Sequence, residues 1–115
     1  MAELKVIEAS DALTHLAVSG RLNVAGVSFL ELQFTAQAAA RRKHTLVDMS
    51  EVEFIASLGL GMLLSTAKAL NNHQLRMVVV NPHEHVDRAL RASSLDRIIP
   101  IAESREQALQ LLQGE

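Results

Sequence analysis

The sequence predicts an α/β fold: one domain over residues 1–115, with a mixed, mainly parallel sheet of four to five strands flanked by about four helices. Three observations predict it. Near the start, two short runs rich in branched residues are separated by the turn-forming "SDA", which makes a hairpin and therefore one antiparallel pair. Over the last two-thirds, strand-like runs alternate with segments whose apolar residues recur at helical spacing, which implies parallel strands joined by right-handed crossovers. "LRMVVVN", residues 75–81, is an almost unbroken apolar run, the mark of a strand covered on both faces and the expected sheet centre.

In chain order, "LKVIEA" (4–9) and "LTHLAVS" (13–19) are the hairpin strands. Residues 27–42 carry Val27, Leu30, Phe34, Ala38 and Arg41 at helical spacing, and Arg41, Arg42 and Lys43 stand where cations suit a helix carboxyl end. "TLVDMS" (45–50) is a third strand, Glu53 to Ala56 its exit loop, and 57–72 a helix with Leu60, Leu63, Leu64, Ala67 and Leu70 on one face. After 75–81 come a short helix over 84–95, with Val86, Ala89 and Leu90 inward, and a last strand at 98–102 whose Pro100 implies a sheet edge or irregular end. "SREQALQLLQ" closes the chain as a helix, with Ser104 and Gln107 at capping-box spacing.

Composition bounds the function. A chain of 115 residues can bury roughly two-thirds of its unfolded surface, enough for a real core. Its formal charge of −2 gives no global attraction to nucleic acid or anionic lipid. The absence of cysteine excludes disulfides, thiol catalysis and thiolate metal sites, and cytoplasm is the default compartment. "MAELKVIEAS" is too charged for a signal peptide, and no window approaches the ~20 apolar residues that span a bilayer, so no direct membrane insertion is expected.

Reactive groups are few and scattered. His15, His44, His73, His83 and His85 fall on strand and loop positions, and "HEH" at 83–85 has neither helical i, i+4 spacing nor a third ligand, so solvated loop histidines and no metal are expected. Asp48 ends a strand without a fixed acid–base neighbour and is expected to cap a loop. "GLG" lacks the lysine of a Walker loop and the third glycine of a dinucleotide fingerprint, so no cofactor is expected. "ARRKH" (40–44) has no aromatic stacking platform beside it and suits a solvated helix end better than a nucleic-acid site. Ser93 and Ser94 are most simply a helix end, though either hydroxyl is chemically able to take a phosphate. A hydrolase using Asp48, Ser57 and a histidine would need glycine two residues before the serine, where Ile55 stands. The chain is therefore not expected to be an enzyme.

The informative stretch is "FIASLGLGMLL", 54–64. Ser57 stands where a strand exit meets a helix, so its hydroxyl suits the N-cap, accepting a free backbone N–H. Capping leaves Leu58, Gly59 and Gly61 unexplained. Leu58 would face water from the first turn, and each glycine costs a helix up to ~1 kcal/mol relative to alanine. Both features make sense if another protein's surface lands there.

Two segments, "SGRLNVAGV" (19–27) and "LVDMSEVEFIASLGLGMLL" (46–64), give the chain a resemblance along essentially its whole length to the STAS-domain anti-sigma-factor antagonists. The first is similar to that family's strand exit, the second to its aspartate-leucine-serine strand followed by aspartate-serine-serine-glycine-leucine-glycine. The resemblance implies a mixed sheet flanked by helices, phosphorylation at Ser57 by a histidine-kinase-like anti-sigma kinase, reversal by a serine phosphatase, and partner switching in which the unmodified form binds the kinase and frees a sigma factor. Carried over by position, the partner surface comprises Arg21, Asn23, Ala56, Ser57, Leu58, Gly59, Gly61 and Met62. Ala56 and Asn23 replace two of the family's aspartates, and Arg21 a residue often acidic, so a phosphate here meets less repulsion and a kinase fewer acceptors. A STAS subunit that regulates a transporter ATPase, a module that binds without phosphorylation, and a lipid- or small-molecule-binding domain are the alternatives.

Overall fold

The computed structural model describes residues 2–113. Its strands are β1 (Glu3–Ala9), β2 (Leu13–Leu22), β3 (His44–Ile55), β4 (Met77–Val80) and β5 (Ile101–Ala102). The helices are α1 (Val24–Gln37), α2 (Ser57–Asn71), α3 (Glu84–Ala92) and α4 (Arg105–Gln113), with a 3-10 turn at Leu95–Arg97. The five strands lie side by side in chain order; β1 and β2 are antiparallel and every later pair is parallel. Mixed class, hairpin opening and helix count are as the sequence predicts. The middle place, however, belongs to β3, and β4 lies one in from the short edge strand β5. All four β4 residues are buried because the sheet is covered on both sides there.

Period-two alternation sorts the side chains between two apolar layers. Val47, Met49, Met77 and Val79 point toward α1, α2 and α3, where they join Leu30, Phe34, Leu63 and Leu70 in the larger core. Leu46, Val78 and Val80 point the other way, toward Ala108 of α4.

Several boundaries move, each for a local reason. Helix α1 starts at Val24 because Asn23 caps it, its Oδ1 accepting the Gly26 N–H at 2.9 Å. It ends at Gln37, and the basic run beyond is not a solvated helix end: the Arg41 guanidinium turns back to donate to Thr14 Oγ1 and, at 3.0 Å, to the Ser10 carbonyl of the hairpin turn. Strand β3 runs on through the expected exit loop to Ile55, because β2 pairs with it as far as Leu22 opposite Ile55, through two register shifts. Strand β5 keeps only two residues of the expected five, since the chain before Pro100 is taken up by the 3-10 turn. Helix α3 stops at Ala92; Ser93 Oγ donates to the Ala89 and Leu90 carbonyls, and Ser94 turns left-handed (φ 63°). At α4, Ser104 Oγ accepts from Gln107 N–H at 3.1 Å, while the Gln107 side chain accepts from Glu103 N–H at 2.6 Å, a capping box displaced by one residue.

Candidate functional site

The site is a double corner where β2 turns into α1 and β3 turns into α2. Pairing of Leu22 with Ile55 sets the two exits side by side, and the Ala56 N–H donates to the Leu22 carbonyl at 3.0 Å, tying one corner to the other. Two glycines seat the helices on this seam. A β-carbon on Gly26 would lie 2.1 Å from the Arg21 carbonyl oxygen, and one on Gly59 would lie 2.8 Å from Ile55 Cγ1 and 3.2 Å from the Leu22 carbonyl. Gly59 therefore serves close intramolecular packing, not an exposed backbone. Gly61 is the opposite case: it is exposed, and a β-carbon there would meet nothing within 4 Å.

Ser57 is the first residue of α2 and not its cap. The cap is Ala56, held extended (φ −98°, ψ 175°) as the strand's last paired residues run into it, and it offers no side-chain acceptor. The first turn of α2 thus keeps free N–H groups at its tip, whereas α1 is capped by Asn23. Ser57 and Leu58 are exposed, Leu58 at 47%. Met62, one turn on, is buried in the larger core and cannot contact a visitor directly. The accessible part of the expected partner surface is therefore Arg21, Asn23, Ala56, Ser57, Leu58 and Gly61, with Gly59 and Met62 holding it from below.

Supplying the missing acceptor tests this description. Ala56→Asp is expected to stabilise the fold by about 1 kcal/mol, since an N-cap carboxylate accepts a first-turn N–H and complements the helix dipole. Urea denaturation with an unchanged m-value checks it; no gain would mean that the tip is already satisfied.

Around the tip lie apolar residues that sequence reasoning missed. Arg21 stacks over the Phe54 ring, its Cζ 4.7 Å from the centroid. Arg21 also borders two hollows of about 390 Å³ each, one shared with Ala2, Gly26 and Phe29, the other with Glu53, Phe54 and His85. Val24 and Phe29 are each 66% exposed and Leu32 84%. The available signal was "VAGVSFLELQF": too many apolar residues for one buried stripe, which leaves some facing water.

Other candidate groups are not gathered here. Asp48 accepts Ser50 N–H and Oγ–H at 2.9 and 2.7 Å within β3, not in a loop, and roughly 20 Å of strand separates it from Ser57. His83 and His85 stack with centroids 5.5 Å apart, and His83 Nδ1 accepts the His85 N–H at 3.4 Å as the cap of α3. Among the described residues no three acidic or histidine side chains are grouped to hold a metal, and no helix is long and apolar enough to cross a membrane. His15, on the second hairpin strand as the sequence places it, is buried on β2.

The fold and this corner define a small mixed α/β domain whose distinctive feature is an uncapped, partly apolar helix tip. A family model for the STAS domain matches residues 5–108. BtrV of Bordetella bronchiseptica, named as an anti-sigma factor antagonist, is 30% identical over 98 residues, 85% of this chain and 84% of that one. The crystal structure of an anti-sigma factor antagonist from Mycobacterium paratuberculosis superposes with a TM-score of 0.86 at 25% identity, covering 98% of this chain and 95% of the other. SpoIIAA, solved in unphosphorylated and phosphorylated forms, has the same fold at 15% identity, with TM-scores of 0.77 and 0.70; the alignments cover 98% and 94% of this chain and 98% and 97% of those. The chain belongs to the STAS-domain family of anti-sigma factor antagonists.

Proposed function

We propose that this chain releases a sigma factor by binding an ATP-dependent anti-sigma kinase through the α1–α2 corner, and that phosphorylation of Ser57 switches the binding off. The observation that carries the proposal is the pairing of an exposed hydroxyl with an exposed leucine on a helix tip that lacks a side-chain cap. The leucine gives a docking partner apolar surface to bury. The hydroxyl is open to a kinase, and the free N–H groups beside it suit the anion that results. Relatives named as anti-sigma factor antagonists, and a fold shared with a protein solved in both phosphorylation states, support the reading. The role is regulatory and cytoplasmic, it needs no cofactor, and a serine phosphatase resets the switch.

The test is incubation with the cell's histidine-kinase-like serine kinase and ATP, followed by mapping of the modified residue. A single phosphate at Ser57 supports the proposal. Modification at Ser93 or Ser94 with Ser57 untouched removes the site assignment. Recovery of a transporter ATPase in place of a kinase, when partners are captured from the native cell, removes the partner assignment.

A further inference from the structure

Away from this corner, a titratable cluster built on one buried histidine has no part in the proposed docking. His15 of β2 is only 5% exposed and lies opposite Glu8 of β1 and Leu46 of β3. Arg105, the first residue of α4, reaches over both strands: Nη2 donates to Glu8 Oε1 at 2.6 Å and Nη1 lies 2.6 Å from His15 Nδ1. Guanidinium has N–H donors only, so Nδ1 must be the acceptor and the ring must be neutral with its proton on Nε2. That Nε2 is buried without a partner.

Arg105 fixes the start of a short helix that is also held by the Ser104–Gln107 cap and by Arg76, whose Nη1 donates to the Leu111 carbonyl at 3.4 Å. Helix α4 is nine residues long, too short to persist by itself, and among the described residues it is the only helix on its side of the sheet. It covers Leu46, Val78, Val80 and Ala102 with buried Ala108 and half-buried Leu109, Leu111 and Leu112.

We propose that the Glu8–Arg105–His15 cluster is an acid-released latch: a proton taken up by His15 turns its Nδ1 from acceptor into donor against the guanidinium, and α4 lets go of the sheet. The charged groups acting on the ring are Glu8 from β1, Asp48 from β3 and Arg105 from α4. Burial, followed by Arg105, pushes the His15 pKa below its ordinary 6.5, outweighing Asp48 and Glu8, which act upward. The open form therefore binds the proton more readily than the closed form, and closure weakens as pH falls below 6.5. The second arm fails later. The hydrogen bonds from Arg105 and Ser10 hold the Glu8 pKa below its ordinary 4.5, so its contribution persists in mild acid and is lost only in stronger acid. Release would uncover a second apolar face opposite the helix-covered side that carries α1 and α2.

Hydrogen–deuterium exchange of the full chain tests the latch, read as protection factors of the 105–113 amides. Between about pH 7 and pH 5.5 these should fall by up to tenfold per pH unit, while the amides of β3 bonded to β2 and β4 keep theirs. His15→Gln preserves an acceptor for Arg105 but cannot take a proton, and should abolish the pH dependence. Constant α4 protection in the wild type, or an equal fall in His15→Gln, overturns the proposal. Should His15→Gln fail to fold, the His15 ring titration followed by NMR in wild type and Arg105→Gln decides: an upward move on removing the guanidinium supports the latch, and an unmoved titration overturns it.

Discussion

Gly26→Ala is expected to destabilise the domain by about 3 kcal/mol or more, the largest effect of any single methyl group added at this corner. The added carbon would lie 2.1 Å from the Arg21 carbonyl oxygen, and that atom is backbone of β2 where it pairs with Phe54 of β3. Neither partner can rotate away. To relieve the contact α1 must lift from β2, disturbing Leu30 and Phe34 below it and the Asn23 cap at its start.

The other two glycines give the comparison that makes this result specific. Gly59→Ala meets Ile55 Cγ1 at 2.8 Å and the Leu22 carbonyl oxygen at 3.2 Å, a smaller overlap than at Gly26, and should cost about 1–2 kcal/mol. Gly61→Ala enters open space and should gain up to ~1 kcal/mol from helix propensity. Chemical denaturation of the three variants should rank them in that order. A Gly26→Ala protein as stable as the wild type would show that the helix is not held against the strand end as described. Gly61→Ala also separates folding from docking: a more stable chain with weaker partner binding would mean that Gly61 is kept bare for the partner.

The same glycines show how far residues alone carry the reading. "GLG" at a strand-to-helix transition marks a close approach, and that much is legible. Which glycine approaches what is not, because Gly59 meets Leu22, thirty-seven positions earlier, through a pairing that sequence periodicity does not encode. The alternating strands and helices were legible for the opposite reason: each apolar period is local, as in "LRMVVVN" or Leu60 to Leu70. The end of β3 was hidden because Glu51, Glu53 and Phe54 look like a loop, and only pairing with β2 extends the strand past them. That extension makes Ala56 the cap and moves Ser57 into the first turn, which changes the chemistry of the site: the hydroxyl is not engaged in capping. The partners of His15, correctly placed on a strand, were hidden for a related reason, since Glu8 and Arg105 lie on two other elements, one of them ninety positions away.

Phosphorylation of Ser57 should weaken partner binding about a hundredfold, with no loss of folding. The modification adds about −1.5 to −2 charges at pH 7. In the free protein that anion sits at an exposed helix amino end, where the dipole and free N–H groups favour it by roughly 0.3–1 kcal/mol, so thermal stability should hold or rise slightly. Docking reverses the balance. With Leu58 pressed against a partner the phosphate must shed water, and even ~3 kcal/mol of uncompensated desolvation corresponds to the hundredfold loss. Ser57→Glu carries a single charge and should lose about tenfold, while Ser57→Ala, smaller and neutral, should bind like the wild type. Calorimetric titration against the kinase, alongside melting curves for each form, checks both halves. Equal affinity of the Ala and Glu variants would remove charge as the switch. A large drop in melting temperature on phosphorylation would relocate the effect from the interface to the fold.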